Sequence, residues 1–309
     1  MKILVTGGAG FIASQIADAY IAEGHKVFIL DDLSTGFEKN VNTKAVFIKK
    51  DIIDPSLSKL FEKEKFDVVN HHAAQMDVRK SVADPSFDAA TNILGTINLL
   101  QNCVKTGVKK FMFASTGGAV YGEQTYFPAD ENHPTSPLSP YGISKLAVEK
   151  YLFFYYAQHK LKYTILRYAN IYGPRQNAMG EAGVVAIFST KLLKGEQPVI
   201  NGNGEQTRDY VFVGDVVKAN LLTLNENSCN TYNIGTGIET NVNDLYKTLN
   251  KIIGNGQQEK HGPAAPGEQM RSVITSDKIF NKFNWRPTTN INDGLIQTVN
   301  YFRNELNIS

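Results

Sequence analysis

Tyr141 and Lys145 stand four residues apart in SPYGISKLAVEK, so a helix through that segment puts both side chains on one face. That pair could do proton chemistry. An unperturbed tyrosine ionises near pH ~10, and a neighbouring ammonium lowers that value by favouring the phenolate. A hydroxyl closing the preceding β-type run, Thr116 or Ser115, could hold a substrate oxygen beside the phenol. A Tyr-x-x-x-Lys pair alone is an ordinary feature of surface helices. It gains meaning from the start of the chain, where Gly7, Gly10 and Ala13 stand three apart between KILVT and a helical pattern. Small residues at such a junction allow a tight turn and let a pyrophosphate approach helix N-terminal amides, where the dipole favours anions. The spacing is G-x-x-G-x-x-A rather than G-x-G-x-x-G, and a glycine cluster by itself is a plain strand-to-helix turn. Asp31 and Asp32, however, close the next β-type run, where a carboxylate can accept both hydroxyls of a ribose. No Arg or Lys lies within Leu33 to Phe37 to receive a 2′-phosphate, so NAD is favoured over NADP.

These residues need a scaffold, and the first part of the chain provides one. Apolar β-type runs at Lys2–Thr6, Lys26–Leu30, Ala45–Lys49, Asp67–Asn70, Lys110–Ala114 and Tyr163–Leu166 alternate with helical patterns. Two of the helices are expected over roughly Asp88–Lys105 and Tyr141–His159. Strands joined by helices imply βαβ units with right-handed crossovers, hence an α/β, doubly wound parallel (Rossmann) sheet. Past Pro174 strands thin out and Gly, Asn and Pro accumulate, which reads as a smaller, mixed C-terminal lobe over the ends of the sheet. The expected division is residues 1–172 for the dinucleotide and 173–309 mainly for the substrate, with Thr231–Gly235 returning a strand to the main sheet.

Composition narrows the class. The chain has 309 residues, 42% of them hydrophobic, and a formal net charge of +2, which excludes disorder and argues against a nucleic-acid binder. No apolar run reaches the ~18 residues of a membrane span, and the β-type run at Lys2 leaves no room for a secretory leader. Two cysteines, Cys103 and Cys229, suit a reducing cytoplasm. His71 and His72 are adjacent on a strand and point to opposite faces, so no metal site is expected there. The alternation of Lys and Glu from Lys59 to Lys65 reads as a solvated helix face. The run Tyr151 to Tyr156 (YLFFYY) exceeds one buried stripe; it reads as core against the sheet or as a helix-pair interface between two copies.

In order along the chain stand TGGAGFI (Thr6–Ile12), DDLSTG (Asp31–Gly36), Asp51-Ile52, HHAAQ (His71–Gln75), Asn92, STGGAVYG (Ser115–Gly122), YGISK (Tyr141–Lys145), RYANIYGPRQ (Arg167–Gln176) and GNGEQTRDYVFVGD (Gly202–Asp215). With these blocks the chain resembles the extended short-chain dehydrogenase/reductases of the NAD-dependent epimerase/dehydratase family, nearest to those that epimerise UDP-glucose and UDP-galactose at C4. The resemblance spans nearly the whole chain. It implies that Tyr141 takes the sugar 4-hydroxyl proton while the C4 hydride passes to NAD, and that the 4-keto sugar turns over and is reduced on its other face. It assigns Lys145 to the nicotinamide ribose and Thr116 to the 4-oxygen. Gly7, Gly10, Phe11 and Ile12 fall at the pyrophosphate turn, and Asp31, Asp32, Ser34, Thr35 and Gly36 at the adenosine ribose. Asp51 and Ile52 flank adenine, and Ala73, Ala74 and Asn92 line the cleft. Asn170 and Arg208 match positions on the substrate's diphosphate, and a homodimer is implied.

Departures from the family pattern narrow the chemistry further. Dehydratases and decarboxylases of the family carry an acid just after the Ser/Thr, whereas here Thr116 is followed by Gly117, Gly118, Ala119 and Val120. That favours simple epimerisation over water elimination. Ala13 replaces the usual third glycine. The family's late arginine before P-G-[DE] is Ala265, with Arg271 as the substitute candidate. Ser272 falls where some relatives carry a bulky tyrosine, leaving room for a UDP-N-acetylhexosamine. The competing readings are epimerisation of that sugar or of a UDP-uronate, dehydration, and a non-catalytic NAD-binding regulator, whose signature would be a broken Tyr-Lys pair.

Overall fold

A computed structural model describes residues 1–178, 183–264 and 269–308. The strands are β1 (Lys2–Thr6), β2 (Lys26–Asp31), β3 (Val46–Lys49), β4 (Val68–His71), β5 (Lys110–Thr116), β6 (Lys162–Tyr168), β7 (Asn170–Tyr172), β8 (Ile200–Asn201), β9 (Thr207–Phe212), β10 (Asn230–Ile234), β11 (Glu239–Asn241), β12 (His261–Gly262) and β13 (Arg271–Ser272). The helices are α1 (Phe11–Ala22), α2 (Leu57–Glu64), α3 (Val78–Ala83), α4 (Pro85–Ala89), α5 (Gly95–Thr106), α6 (Pro140–His159), α7 (Val184–Leu193), α8 (Val213–Leu224), α9 (Val242–Ile253), α10 (Asp277–Phe283) and α11 (Ile291–Glu305).

The main sheet runs β10-β6-β5-β4-β1-β2-β3, every pair parallel. Its strands are apolar on both faces because helices cover both. β1 shows the period of two: Ile3 and Val5 enter a core with α1 and α8, while Leu4 enters the opposite core with residues of α2, α5 and α6. β10 lies beside β6 in register, Thr231 opposite Ile165. Chain order reverses between β1 and β4, and the crevice beyond their carboxyl ends is where such sheets bind ligands.

The later residues build the expected mixed lobe around a small sheet. β9 sits between antiparallel β11 and parallel β13, and β7 joins β9. A third core unites α7, α9 and α11 with Tyr172 and Phe212, and Phe11 from the first turn of α1 belongs to it. The helix expected over Asp88–Lys105 is interrupted: α4 passes through a wider turn at Ala90–Leu94 before α5 begins. At that junction the chain presses on the loop after β3, for a Cβ on Gly95 would lie 2.6 Å from Ile52 Cδ1.

Candidate active site

Gly7 takes φ +69°, a left-handed conformation, and a Cβ there would meet the Ala73 amide nitrogen at 2.7 Å. Both facts demand glycine, and together they bring the β1 turn against the loop after β4. Gly10 opens α1 without a side-chain cap, and the first turn of that helix carries no acidic residue. Its amides are thus placed for an anion that the chain does not itself supply. Asp31 is buried at the end of β2; Oδ2 accepts from the Ala9 amide at 2.9 Å and Oδ1 from the Leu33 amide at 2.8 Å. Burial raises its carboxyl above the usual range, against the pull of those two amides. Asp32 is exposed and shapes the following loop, accepting from the Ser34 amide and hydroxyl at 2.9 and 2.7 Å. Thr35 accepts from Asn177 through its carbonyl, and Gly36 packs on the Ala9 backbone. The glycine turn, the uncapped helix and the strand-end carboxylate therefore fit a dinucleotide.

Two cleft residues do work the sequence does not reveal. Asn92 is buried, its Oδ1 accepting from the Gln75 amide at 2.9 Å and its Nδ2 donating to the Gln75 carbonyl at 2.8 Å and to Asp88 at 3.0 Å. Its side chain fixes the loop that carries Ala73 and Ala74. Ile52 is buried in the core with Leu57 and Leu99, while its carbonyl accepts from Asn98 at 2.7 Å. Asp51 Oδ1 accepts from the Ile53 amide at 3.1 Å.

Helix α6 starts where Ser139 Oγ accepts from the Gly142 amide at 3.2 Å and Pro140 occupies the first turn. This start delivers Tyr141 to the end of β5, close enough to Thr116 for that hydroxyl to favour the ionised phenol. Ser115 points to the other face of the strand, and its hydroxyl donates to Glu149 at 2.6 Å. Thr116 is therefore the hydroxyl beside the phenol. Lys145 is only 4% exposed; its ammonium donates to the Ala114 carbonyl at 2.9 Å and lies 5.8 Å from the Tyr141 ring centre. Burial pushes Lys145 down to about 8, opposed by the charge of Asp88. Burial, then Asp88, raises Tyr141 above its ordinary value, opposed by the nearby Thr116 hydroxyl.

Across from Tyr141 the site is lined by small groups. A Cβ on Gly118 would lie 3.6 Å from Asn170 Oδ1, 3.8 Å from Thr116 Oγ1 and 4.0 Å from Ser272 Oγ, so those three side chains surround one space. Arg208 lies on β9 with its register partners Ser272 and Thr240, and its Nη1 donates to the Thr207 carbonyl at 2.7 Å. Arg271, the substitute candidate for the missing arginine, is engaged elsewhere. It makes a bidentate pair with Glu239 at 3.0 and 2.7 Å and stacks on Phe127, because β13 and β11 both flank β9. Ala265 lies outside the described residues.

His71 bridges Thr6 at 2.7 Å and Thr96 at 2.8 Å, while His72 stacks on Tyr168 and contacts its hydroxyl at 3.2 Å. Burial and the Lys145 charge hold both imidazoles neutral, His72 down to about 3. Among the described residues no cluster of three or more His, Cys, Asp or Glu is placed to hold a metal. The aromatic run on α6 divides: Leu152 is 1% exposed and joins the core with Tyr155, whereas Phe153 is 62% and Phe154 48% exposed. Sequence reasoning missed Asp88, Glu149 and Arg167, which lie buried behind Tyr141, Lys145 and Thr116.

A doubly wound sheet with a glycine turn and an uncapped helix start at its switch point, and a Tyr-Lys pair at the end of β5, defines a short-chain dehydrogenase/reductase fold of the dinucleotide-dependent kind. Residues 3–235 match the family described as the NAD dependent epimerase/dehydratase family, and the chain belongs to it. A UDP-glucose 4-epimerase of Mycolicibacterium smegmatis is 40% identical over 311 residues, 99% of each chain. The crystal structure of a UDP-glucose 4-epimerase from Thermotoga maritima with UDP-glucose is 46% identical, with a TM-score of 0.97 over 99% of this chain and 100% of that one. A UDP-glucose 4-epimerase of Thermus thermophilus in complex with NAD is 41% identical, with a TM-score of 0.93 over 98% of this chain and 99% of that one.

Proposed function

We propose that this chain is an NAD-dependent isomerase that interconverts UDP-glucose and UDP-galactose by inversion at C4. The observation that carries the reading is the buried Lys145 ammonium 5.8 Å from the Tyr141 ring centre, at the end of β5 where Thr116, Asn170 and Ser272 surround one space beside Gly118, with no carboxylate among residues 116–120. Thr116 orients the 4-hydroxyl, Tyr141 removes its proton and later returns it, and Lys145 favours the phenolate by its charge. Bound NAD supplies the reversible oxidant at C4. The amides around Gly7, Gly10, Phe11 and Ile12 hold its pyrophosphate, Asp31 and the loop Asp32–Gly36 its adenosine ribose, Asp51 and Ile52 flank adenine, and Ala73 and Ala74 wall the cleft. Asn170 and Arg208 take the substrate's diphosphate; a guanidinium suits that task through its planar fork.

Residues 1–172 thus serve mainly the cofactor and residues 173–309 the sugar nucleotide. The exposed Ile143, Phe153 and Phe154 on α6, with exposed Leu94 just before α5, make these helices the face on which two copies pair. Sedimentation tests this: a single-chain species alone removes the homodimer. Two free cysteines, and no helix among the described residues long and apolar enough to cross a membrane, suit an enzyme of galactose metabolism in the cytoplasm. A second reading, turnover of a UDP-N-acetylhexosamine, is favoured by the small Ser272 beside Gly118. Tyr141→Phe tests the base. It abolishes interconversion while leaving NAD bound, and retained turnover refutes the assignment.

A further inference from the structure

Asp88 is completely buried on α4, beneath the helix that carries the catalytic pair. Its Oδ1 accepts from the Ser144 hydroxyl at 2.6 Å, and Ser144 sits on α6 between Tyr141 and Lys145. Its Oδ2 accepts from Gln75 Nε2 at 3.1 Å and Asn92 Nδ2 at 3.0 Å. Every one of these donors is neutral. Among the described residues no Lys, Arg or His is in ion-pair contact with Asp88. A carboxylate so enclosed, hydrogen-bonded yet not neutralised, is unfavourable to bury and projects its charge onto its surroundings.

We propose that Asp88 is the positioning residue of the Tyr141–Lys145 pair, pinning α6 through Ser144 and supplying the buried negative charge that keeps Lys145 an ammonium. It touches neither substrate nor cofactor in this scheme and acts through Ser144 and Lys145. The same charge opposes the Tyr141 phenolate, so Asp88 sets the pH window in which base and ammonium coexist. In keeping with that role, the charge of Asp88 acts to raise both Lys145 and Tyr141. The other charged groups around the pair are Glu149 on α6 and Arg167 on β6, which neutralise each other in a buried ion pair at 2.6 Å. His71, at the end of β4, and His72, just beyond it, feel the Lys145 charge and are held neutral, and Tyr168 on β6 contacts His72. On the segments packed against Asp88, Arg79, Lys80 and Asp84 are exposed, Lys80 over the Phe87 ring, and Asp77 and Asp84 cap the short helices α3 and α4.

The sign of the effect is fixed by electrostatics. Removing a negative charge destabilises the ammonium and stabilises the phenolate, so both ionisations move to lower pH. For unit charges ~6–10 Å apart at an effective dielectric of ~20, the displacement is about one to two pH units. The test is the pH dependence of kcat for UDP-galactose turnover in NAD-loaded Asp88→Asn, beside Asp88→Glu and Ser144→Ala. Asp88→Asn shifts both limbs of the profile acidward. Asp88→Glu, which keeps the charge, and Ser144→Ala, which removes only the pin, leave the limbs in place while lowering kcat. A fall in kcat of Asp88→Asn that is uniform in pH, or a shift toward alkali, overturns the proposal. Asp88→Ser is the second neutral variant, for the case in which Asp88→Asn does not fold.

The inference rests on Tyr141 as base, so a second readout separates the two. The near-ultraviolet phenolate signal lost in Tyr141→Phe is titrated in the NAD-loaded wild type and in Asp88→Asn. If that signal titrates in both at one pH, Asp88 is only structural and the base stands. If Tyr141→Phe still turns substrate over, the base assignment itself has failed.

Discussion

Replacing Gly7 with alanine combines two physical costs that the structure keeps apart elsewhere. A non-glycine residue at φ +69° loses about 1–2 kcal/mol from steric strain alone. The added methyl also meets Ala73 N at 2.7 Å and Ala73 Cα at 2.9 Å, both backbone atoms that no rotamer change can move aside. Forcing the loop after β4 outward adds about 1–3 kcal/mol by analogy with overpacked cores. The total is about 2–5 kcal/mol, within the ~5–15 kcal/mol of a typical domain, so the variant folds but is weakened. Gly24 is the control: it sits at φ +78° with nothing within 4 Å of where a methyl would lie, so Gly24→Ala carries only the strain. Urea unfolding followed by the fluorescence of buried Trp285 compares the two, and NAD titration follows the site. Gly7→Ala loses about 1–3 kcal/mol more than Gly24→Ala and binds NAD at least about tenfold more weakly. Equal stabilities with unchanged NAD affinity would refute the claim that this turn is shaped by the approach of Ala73.

Other consequences are open to the same kind of check. Because burial lowers Lys145 to about 8, its charge is lost as pH rises through that value, and kcat has an alkaline limb there that a pH profile reads. Glu149 and Arg167 form a buried pair at 2.6 Å, with Ser115 on the same carboxylate; Glu149→Gln strands the guanidinium and costs about 3–5 kcal/mol in urea unfolding. Replacing both members by apolar residues costs much less than the single change. Arg208→Ala raises KM for the UDP-sugar by about tenfold, the contribution of one charge-assisted phosphate contact. Arg271→Ala, removing a guanidinium already paired with Glu239, leaves KM nearly unchanged.

Features encoded by local spacing were legible in the sequence. The strand-glycine-helix junction at Thr6–Ile12, the acid closing β2 and the Tyr141–Lys145 register each follow from two or three residues and one geometric period. The sheet followed from alternating patterns for the same reason. What stayed hidden depends on contacts between distant segments. Asp88 reads as a polar residue on a helix until Ser144, 56 residues on, supplies its hydroxyl. Glu239 and Arg271, 32 apart, meet only because both their strands flank β9. Phe11 looks like an inward residue of α1, yet it packs with Tyr172 and Phe188 in the other core. The choice of Thr116 over Ser115 needed the strand's facing, fixed by Glu149 on the far side.

The central claim is inversion at C4 with no net redox change. Purified protein incubated with UDP-galactose, NAD and no reductant is followed by NMR of the sugar product and by absorbance of reduced nicotinamide. The account predicts an equilibrium mixture of UDP-galactose and UDP-glucose with no accumulating NADH. Stoichiometric NADH release, or a dehydrated product in place of the C4 epimer, would contradict it.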